Sequence, residues 1–281
     1  MTTIQSEKAR VDKPKLSWGL RGPVDLPVQA ADLPMTPAEA WGGSTGRGVR
    51  VCVVDSGVEA NHPDVGELHG SYVVSGPDDE VVEGEPGDSC GHGTACASII
   101  RQQAPDCELY SVQVLGKGFG GTGKVLLAGL RWAVEQGFDV INMSLSTTRP
   151  QFAEALHALA DDAFFSGSVI VASAHNSPVE SFPWRFSSVI SVGSHQVEDP
   201  ELFLYNPEPP VEFYAQGQNV RVGWLNGGNI RTTGNSFATP RIAGQCTRIL
   251  AKHPGLTVFE LKSLLYRTAA NVHTPDLRGA L

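Results

Sequence analysis

The strongest constraint on the fold is an alternation of short, β-branched apolar runs with amphipathic helical segments along most of the chain. Residues 49–54, 140–145 and 169–172 are runs typical of strands buried on both faces of a sheet. A chain that alternates strands with helices folds into a mostly parallel sheet covered by helices on both faces. We therefore predict a three-layer α/β fold. Further strands are expected at 109–115 and 189–192, a hairpin at 220–233, and helices at 92–101, 122–136, 152–165, 236–252 and 257–268.

The chain divides into a short arm and one large domain. Residues 1–45 are rich in proline and charge and show little periodicity. We predict that they form an N-terminal arm lying on the domain, and leave open whether it is partly disordered. Residues 46–281 then form the domain itself, because a chain of 281 residues suits a single large α/β unit.

The charge balance argues against two classes of partner. The chain has 30 acidic and 21 basic residues, for a net charge of -9. An acidic surface repels phosphate backbones and anionic lipids, so we expect neither a nucleic-acid partner nor a polybasic membrane patch. Apolar runs also fall short of the roughly 18 residues that a membrane helix needs. The sequence leaves the oligomeric state open.

The cysteines favour a reducing compartment. All five are irregularly spaced, and no two stand in a CxxC pair, so a zinc site is not expected. Together with the lack of an apolar segment near the N-terminus, this usage predicts a cytoplasmic protein. Secretion, and one disulfide, are left open. The cysteines are Cys52, Cys90, Cys96, Cys107 and Cys246.

Three short motifs carry groups suited to nucleophilic chemistry. Asp55 ends the first predicted strand, in Val-Asp-Ser-Gly. His92 begins a predicted helix, in Gly-His-Gly-Thr, and Ser236 begins another, in Gly-Asn-Ser-Phe-Ala-Thr-Pro. Each group alone has an ordinary structural explanation, such as a helix cap. A carboxylate, an imidazole and a hydroxyl in one chain are also the parts of a hydrolytic triad.

Taken together and in this order, the motifs resemble those of the subtilisin-like serine protease family, over about residues 48–267. The resemblance implies a serine endopeptidase acting on peptide or protein substrates through an acyl-enzyme. Ser236 would be the nucleophile, His92 its base and Asp55 the group that orients the imidazole. The stretch ending at Asn176 resembles the family's Ala-Gly-Asn, which implies that Asn176 donates to the oxyanion together with the Ser236 N–H.

The same resemblance implies where a peptide would bind. Family members hold the substrate as a strand between two edge segments, one of which reads Ser-Leu-Gly-Gly. In this chain Ser146 and Thr147 replace those glycines, and His175 replaces the glycine before Asn176. We predict a narrower, more polar pocket and a selective protease. The predicted substrate-binding residues are Phe119, Gly120, Gly121, Ser144, Leu145, Ser146, Ala174 and His175.

Two further departures from the family bear on cofactors and biology. The segment after His92 runs directly to residues 102–105, with no space for the family's calcium loop, so we expect no metal and no other cofactor. The forty-odd residues before the domain are fewer than the family's usual propeptide. We therefore hypothesise a cytoplasmic maturation protease that removes a leader from a precursor peptide.

Two features near the motifs have less certain roles. Residues 78–88 hold six acids, which we interpret as a solvated loop, or as a surface that attracts a basic peptide. Cys96 lies one helical turn beyond His92, and Cys90 lies two residues before it. We predict sensitivity to bulky thiol reagents, with no catalytic role for either cysteine.

Three alternative functions compete with a hydrolytic protease. A peptide ligase or macrocyclase would use the same triad, but the stretch between Asp55 and His92 has no room for a large lid that shields the acyl-enzyme. An inactive peptide-binding relative would normally have lost a catalytic residue, whereas all four are present. An esterase of the α/β-hydrolase type is disfavoured because Ser236 comes last and its motif lacks the second glycine.

Overall fold

The computed structural model describes residues 36–272, and residues 1–35 of the predicted arm lie outside this range. Its strands are β1 (Arg50–Asp55), β2 (Gly70–Ser75), β3 (Glu80–Glu83), β4 (Glu108–Gln113), β5 (Val140–Met143), β6 (Val169–Ser173), β7 (Ile190–His195), β8 (Phe203–Tyr205), β9 (Phe213–Gln216), β10 (Val220–Trp224) and β11 (Gly228–Thr232). Its α-helices are α1 (Pro37–Ala40), α2 (His92–Gln103), α3 (Gly123–Glu135), α4 (Ala153–Ser166), α5 (Asn235–Lys252) and α6 (Val258–Thr268).

Nine strands form one sheet, in the order β3-β2-β4-β1-β5-β6-β7-β9-β8. The inner pairs are all parallel, and only the two edge strands, β3 and β8, run antiparallel to their neighbours. The remaining strands, β10 and β11, form the predicted hairpin. The predicted α/β fold with a mostly parallel sheet is therefore confirmed.

The packing of strand β1 explains why its four central residues are all apolar. Val51 and Val53 belong to the core cluster on the side of α2, α5 and α6. Cys52 and Val54 face the opposite cluster, which contains residues of α3 and α4. Because successive side chains of a strand point to opposite faces, a strand covered by helices on both sides needs apolar residues at every position.

The last ten residues of the predicted arm pack on the domain. Thr36 and Glu39 form a capping box at the start of α1, and Trp41 is buried. The indole Nε1 of Trp41 donates to Glu201 at 3.1 Å, while Lys252 donates to the carbonyl of Ala38 at 2.7 Å. This part of the chain is thus held against the far end of α5.

The sequence predicted a solvated loop for the acidic run at 78–88, but part of this run forms a strand. Residues 80–83 form the edge strand β3, which pairs with β2 to make a hairpin. Its sequence, Glu-Val-Val-Glu, shows no alternation that would predict a strand, and the four residues are largely exposed at the sheet edge. Strands β2, β8 and β9 were also missed: β2 has six residues but is mostly half-buried, and the other two have only three or four residues.

Within residues 36–272, none of the helices combines the length and the apolar character that crossing a bilayer requires.

Candidate active site

The carboxyl ends of the central strands bring the predicted catalytic groups to one edge of the sheet. Asp55 is the last residue of β1, Ser144 follows β5, and Asn176 lies just beyond β6. His92 and Ser236 lie in the first turns of α2 and α5, which pack together. The ring of Phe237, the residue after Ser236, lies 5.4 Å from the His92 ring. Residues far apart in sequence thus meet at the usual ligand-binding edge of a parallel sheet.

Asp55 and His92 form a direct, buried pair. Asp55 Oδ1 lies 2.8 Å from His92 Nδ1, and the Asp55 carboxylate is fully buried. The same oxygen accepts the Ser56 N–H at 2.8 Å, which fixes its orientation. A carboxylate can only accept, so the imidazole proton is assigned to Nδ1 and Nε2 is left as the basic nitrogen.

The surroundings favour the protonated form of His92. Burial alone would lower the pKa of this imidazole, but the negative charge of Asp55, its hydrogen bond and the charge of Asp88 outweigh that effect. The net result is a pKa for His92 above its usual value. A histidine in this setting is stabilised as an imidazolium, the state it adopts after taking a proton from a nucleophile.

Asp88 organises the loop that carries His92. One carboxylate oxygen accepts from Ser56 Oγ at 2.7 Å and from the Gly91 N–H at 2.8 Å. The other accepts from the N–H and the hydroxyl of Thr94, at 2.8 and 2.7 Å. Asp88 therefore caps the start of α2. The prediction that it belongs to a solvated charge run is wrong for this residue. Its place just before a helix start was the signal for this role.

The glycines that flank His92 are required by close packing. Gly91 has a φ of 88°, and a Cβ there would lie 2.6 Å from the Trp224 ring. A Cβ at Gly93 would lie 2.0 Å from the Gly57 carbonyl oxygen. Any side chain at these two positions would displace α2, and His92 with it.

Ser236 lies at the N-terminus of α5, close to the surface but only 8% exposed. Its carbonyl oxygen accepts the Ser144 hydroxyl at 2.8 Å and has the Cys96 thiol 3.6 Å away. The first N–H groups of a helix lack partners within the helix, so this end of α5 favours a developing negative charge.

The predicted oxyanion donor is held by a residue that the sequence analysis missed. Oδ1 of the exposed Asn176 accepts the backbone N–H of Asn235 at 2.9 Å, which leaves its Nδ2 as a donor. The Asn235 side chain accepts the Ser194 N–H at 3.0 Å and donates to the carbonyls of Ala174 and His175 at 3.2 and 3.3 Å. Asn235 precedes Ser236 directly, and only that adjacency could have pointed to it.

The other predicted substrate-binding residues lie around this edge. Ser144 contacts the nucleophile's carbonyl, and Ser146 Oγ lies 3.0 Å from Ser181 Oγ. Gly120 closes a turn that follows β4, with its carbonyl 2.7 Å from the Gly116 N–H. Phe119 and Gly120 belong to that turn, and Gly121 directly follows it. Leu145 lies between Ser144 and Ser146. The Nδ1 atom of His175 accepts the N–H of Ser177, in its own loop, at 3.0 Å.

Cys96 lies beneath the Asp55–His92 pair. Its sulfur is 3.9 Å from Asp55 Oδ2, and the residue is fully buried. Burial, reinforced by the charge of Asp55, raises the pKa of this thiol well above its usual value. Cys96 is therefore a neutral thiol and a poor nucleophile. Asp55, His92 and Cys96 lie close enough to share a metal ion, but the Asp55–His92 hydrogen bond already uses two of these ligands.

The arrangement suits acyl transfer. A serine at a helix N-terminus, a buried carboxylate–imidazole pair and a side-chain amide lie at the same edge of the sheet. These are the parts needed for a nucleophile, a base and an oxyanion site.

Comparisons with known proteins agree with this chemistry. A family model described as the subtilase family matches residues 46–280. The chain is 31% identical to subtilisin DY of Bacillus licheniformis, over 82% of this chain and 86% of that protein. It is 30% identical to a subtilisin of Bacillus pumilus, over 83% of this chain and 88% of the relative. Among solved structures, a cold-adapted subtilisin-like serine proteinase superposes with a TM-score of 0.67 at 27% identity, covering 84% of this chain and 87% of that one.

Proposed function

Since the chain belongs to the subtilase family and is a serine endopeptidase, we propose that Ser236, His92 and Asp55 cleave its peptide substrates as a catalytic triad. The observation that carries this assignment is the buried Asp55–His92 hydrogen bond of 2.8 Å at the sheet edge where α5 begins with Ser236.

The first step is attack of Ser236 Oγ on the carbonyl carbon of the scissile bond. His92 Nε2 accepts the hydroxyl proton as the bond forms, because its other nitrogen is committed to Asp55. The imidazolium then faces a buried carboxylate, and Asp88 adds a second negative charge nearby. Both charges lower the cost of moving the proton to His92.

The tetrahedral oxyanion is held by Asn176 Nδ2 and by the backbone N–H of Ser236. A single donor of this kind lowers the barrier by roughly 3–4 kcal/mol. Collapse of the intermediate expels the amine, which takes the proton from His92. Water then attacks the acyl-enzyme by the same route, which regenerates Ser236 and releases the acid.

We further propose a narrow substrate range and a role in maturing a precursor peptide. The side chains of Ser146 and Thr147 on one wall of the groove support selectivity. Reduced cysteines support the proposed cytoplasmic location, since all five are unpaired. The uninterrupted course of α2 over His92–Gln103 supports an enzyme that needs no calcium in this helix.

An active-site label tests the triad directly. Wild type should gain the mass of one fluorophosphonate adduct, whereas Ser236→Ala should gain none. Ser263→Ala, which changes a serine on the remote helix α6, should label like wild type. If folded wild type forms no fluorophosphonate adduct, the inactive peptide-binding alternative is favoured over the protease.

The ligase alternative is tested on the products. A peptide substrate incubated with a competing amine should yield the free acid by mass spectrometry. A product consisting mainly of the amide or a cyclic peptide would assign the enzyme to acyl transfer instead of hydrolysis.

A further inference from the structure

One wall of the proposed substrate groove is tied to a distant segment of the chain. Thr147 and Phe182 exchange both backbone hydrogen bonds, each at 2.9 Å, as in an antiparallel strand pair. Next to this bridge, Ser146 Oγ lies 3.0 Å from Ser181 Oγ. The wall that begins beside Ser236 therefore ends against residues 181–182.

A tryptophan completes this contact. The indole Nε1 of Trp184 donates to Ser181 Oγ at 2.7 Å, and both residues are buried, Ser181 completely. The Ser181 hydroxyl thus joins the side chains of Ser146 and Trp184 in one network. Because buried polar groups are costly to leave unpaired, such a network resists being opened by a ligand.

The distance from the nucleophile places this network within reach of a substrate side chain. Ser144 contacts the Ser236 carbonyl, and Ser146 is two residues further along the chain, directly before the bridge at Thr147. Two residues of extended chain span roughly 7 Å, and alternate side chains point the same way. A large side chain next to the scissile bond covers about that distance, whereas a methyl or hydroxymethyl group does not.

The opposite wall has little freedom to move away. The carbonyls of Ala174 and His175 are held by the Asn235 side chain, and the Ala174 N–H donates to Val192 at 2.9 Å. A pocket whose two walls and end are all hydrogen-bonded cannot widen without breaking several of these bonds.

We propose that Ser146, Ser181 and Trp184 close the end of the primary specificity pocket, so that the enzyme cleaves after small residues such as glycine, alanine and serine. This inference rests on the proposed function. A bulkier side chain would have to displace Ser146 from Ser181 and leave buried hydroxyl and indole groups unpaired. The three residues determine specificity by excluding volume, and they take no part in the bond chemistry.

A series of fluorogenic peptides that differ only in the residue before the scissile bond tests the proposal. We expect kcat/KM to be about 100-fold higher for alanine or serine than for leucine or phenylalanine, since pocket size alone discriminates by roughly this much. The double variant Ser146→Gly, Ser181→Gly removes both hydroxymethyl groups. It should raise the phenylalanine-to-alanine ratio about tenfold.

Ser187→Gly is the matched control, because Ser187 lies in the same segment with an exposed side chain. It should keep the wild-type preference. Thermal unfolding and fluorophosphonate labelling of every variant show whether each is folded with a working nucleophile.

The outcomes distinguish a failure of the closed-pocket proposal from a failure of the proposed catalytic function. Equal cleavage after phenylalanine and alanine by a wild type that labels at Ser236 would overturn the closed pocket and leave the protease intact. A folded wild type that neither labels nor cleaves would overturn both. The wild-type preference is informative even if the double variant does not fold.

Discussion

The backbone N–H of Asn235 donates to Oδ1 of Asn176 at 2.9 Å, so the residue before the nucleophile orients the proposed oxyanion donor. The Asn235 side chain also reaches Ser194 and the carbonyls of Ala174 and His175. The start of α5, the end of β6 and strand β7 are thereby joined around one side chain. The positions of Ser236 and Asn176 relative to each other follow from this arrangement.

Asn235→Ala should lower kcat about 10- to 100-fold with little change in KM. The variant keeps the backbone donor but loses three side-chain hydrogen bonds, so Asn176 would lose its fixed position at the oxyanion. Steady-state kinetics on an unstrained peptide measure the effect. Asn271→Ala, which also loses side-chain hydrogen bonds but lies beyond α6 and pairs with Tyr205 of β8, should retain wild-type kcat.

A double-mutant cycle tests whether Asn235 acts on catalysis through Asn176. Asn176→Ala alone should cost about 100- to 1,000-fold in kcat. Adding Asn235→Ala to that variant should then cost little more, because the group that it positions is already gone. Fully multiplicative losses would show that Asn235 acts independently of Asn176.

The pH profile of kcat/KM should have an acid limb above pH 6.5, the usual value for histidine. His92 acts as a base only when neutral, and the charges of Asp55 and Asp88 raise its pKa, so activity is lost as the pH falls through that raised value. Asp88→Asn removes one of these charges and should move the limb to lower pH. Glu85→Gln, which neutralises an exposed acid of the same run, should leave it in place.

The same Asp88→Asn variant should be less stable than wild type, because an amide cannot accept from all the donors that surround this carboxylate. The pH profiles are therefore compared well below the unfolding temperature of the variant. A limb that stays at the wild-type position in a folded Asp88→Asn protein contradicts the proposed charge effect.

Bulky mercurial reagents should inhibit the enzyme slowly through Cys96, because this buried, neutral thiol becomes accessible only when α2 opens locally. An adduct on this sulfur would push against Asp55 and the Ser236 carbonyl, which lie 3.9 and 3.6 Å away. Cys96→Ala should keep most of its activity and become resistant, since the neutral thiol takes no part in the chemistry. Cys90→Ala should stay sensitive, and complete inactivity of a folded Cys96→Ala enzyme would show that the thiol is required.

The acids of the β2–β3 hairpin, most of which are exposed, should favour basic substrates. Replacing Asp78, Asp79, Glu80 and Glu83 with their amides should reduce kcat/KM for peptides rich in Lys and Arg, and the difference should shrink with added salt. Cleavage of neutral peptides should be unchanged. An equal loss for neutral peptides would point to a structural effect of the hairpin.

Lys262→Met should lower the free energy of unfolding by about 2–4 kcal/mol. The Lys262 ammonium pairs with Glu212 at 2.8 Å and donates to the carbonyls of Ser187 and Val189 at 2.7 and 3.2 Å. Burial raises the pKa of Glu212, and Lys262 opposes that rise. Without the lysine the Glu212 carboxylate would lose its counter-charge and, among residues 36–272, keep only the Ser191 N–H, 3.4 Å from Oε2.

Urea denaturation at several pH values measures this loss. In Lys262→Met the pKa of Glu212 should rise further, so the folded state binds a proton more readily than the unfolded chain. The deficit should therefore shrink as the pH falls toward the ordinary glutamate value of about 4.3. Lys124→Met, an exposed lysine of α3, should change stability little at any pH.

The sequence by itself determined the fold class and the residues proposed for catalysis. Strand β1 is buried on both faces and is apolar at every position between Arg50 and Asp55, and such a run can be recognised from a few neighbouring residues. The motifs around Asp55, His92 and Ser236 are equally local, since glycines and a helix start have to adjoin each group. The edge strands β3 and β8 were not predicted, because a strand of three or four partly exposed residues is too short to show a recognisable apolar pattern.

Only the tertiary structure decided which residues support these groups. Asn235 meets Asn176 across 59 residues of sequence, and Ser146 meets Ser181 across 35. In the sequence Asp88 is one acid among several, and only its hydrogen bonds with Ser56 and Thr94 in the folded protein show its role. Such contacts depend on which side chains the packed sheet and helices bring within about 3 Å of one another. A hydrogen bond between residues far apart in the chain has no signature in the sequence around either residue.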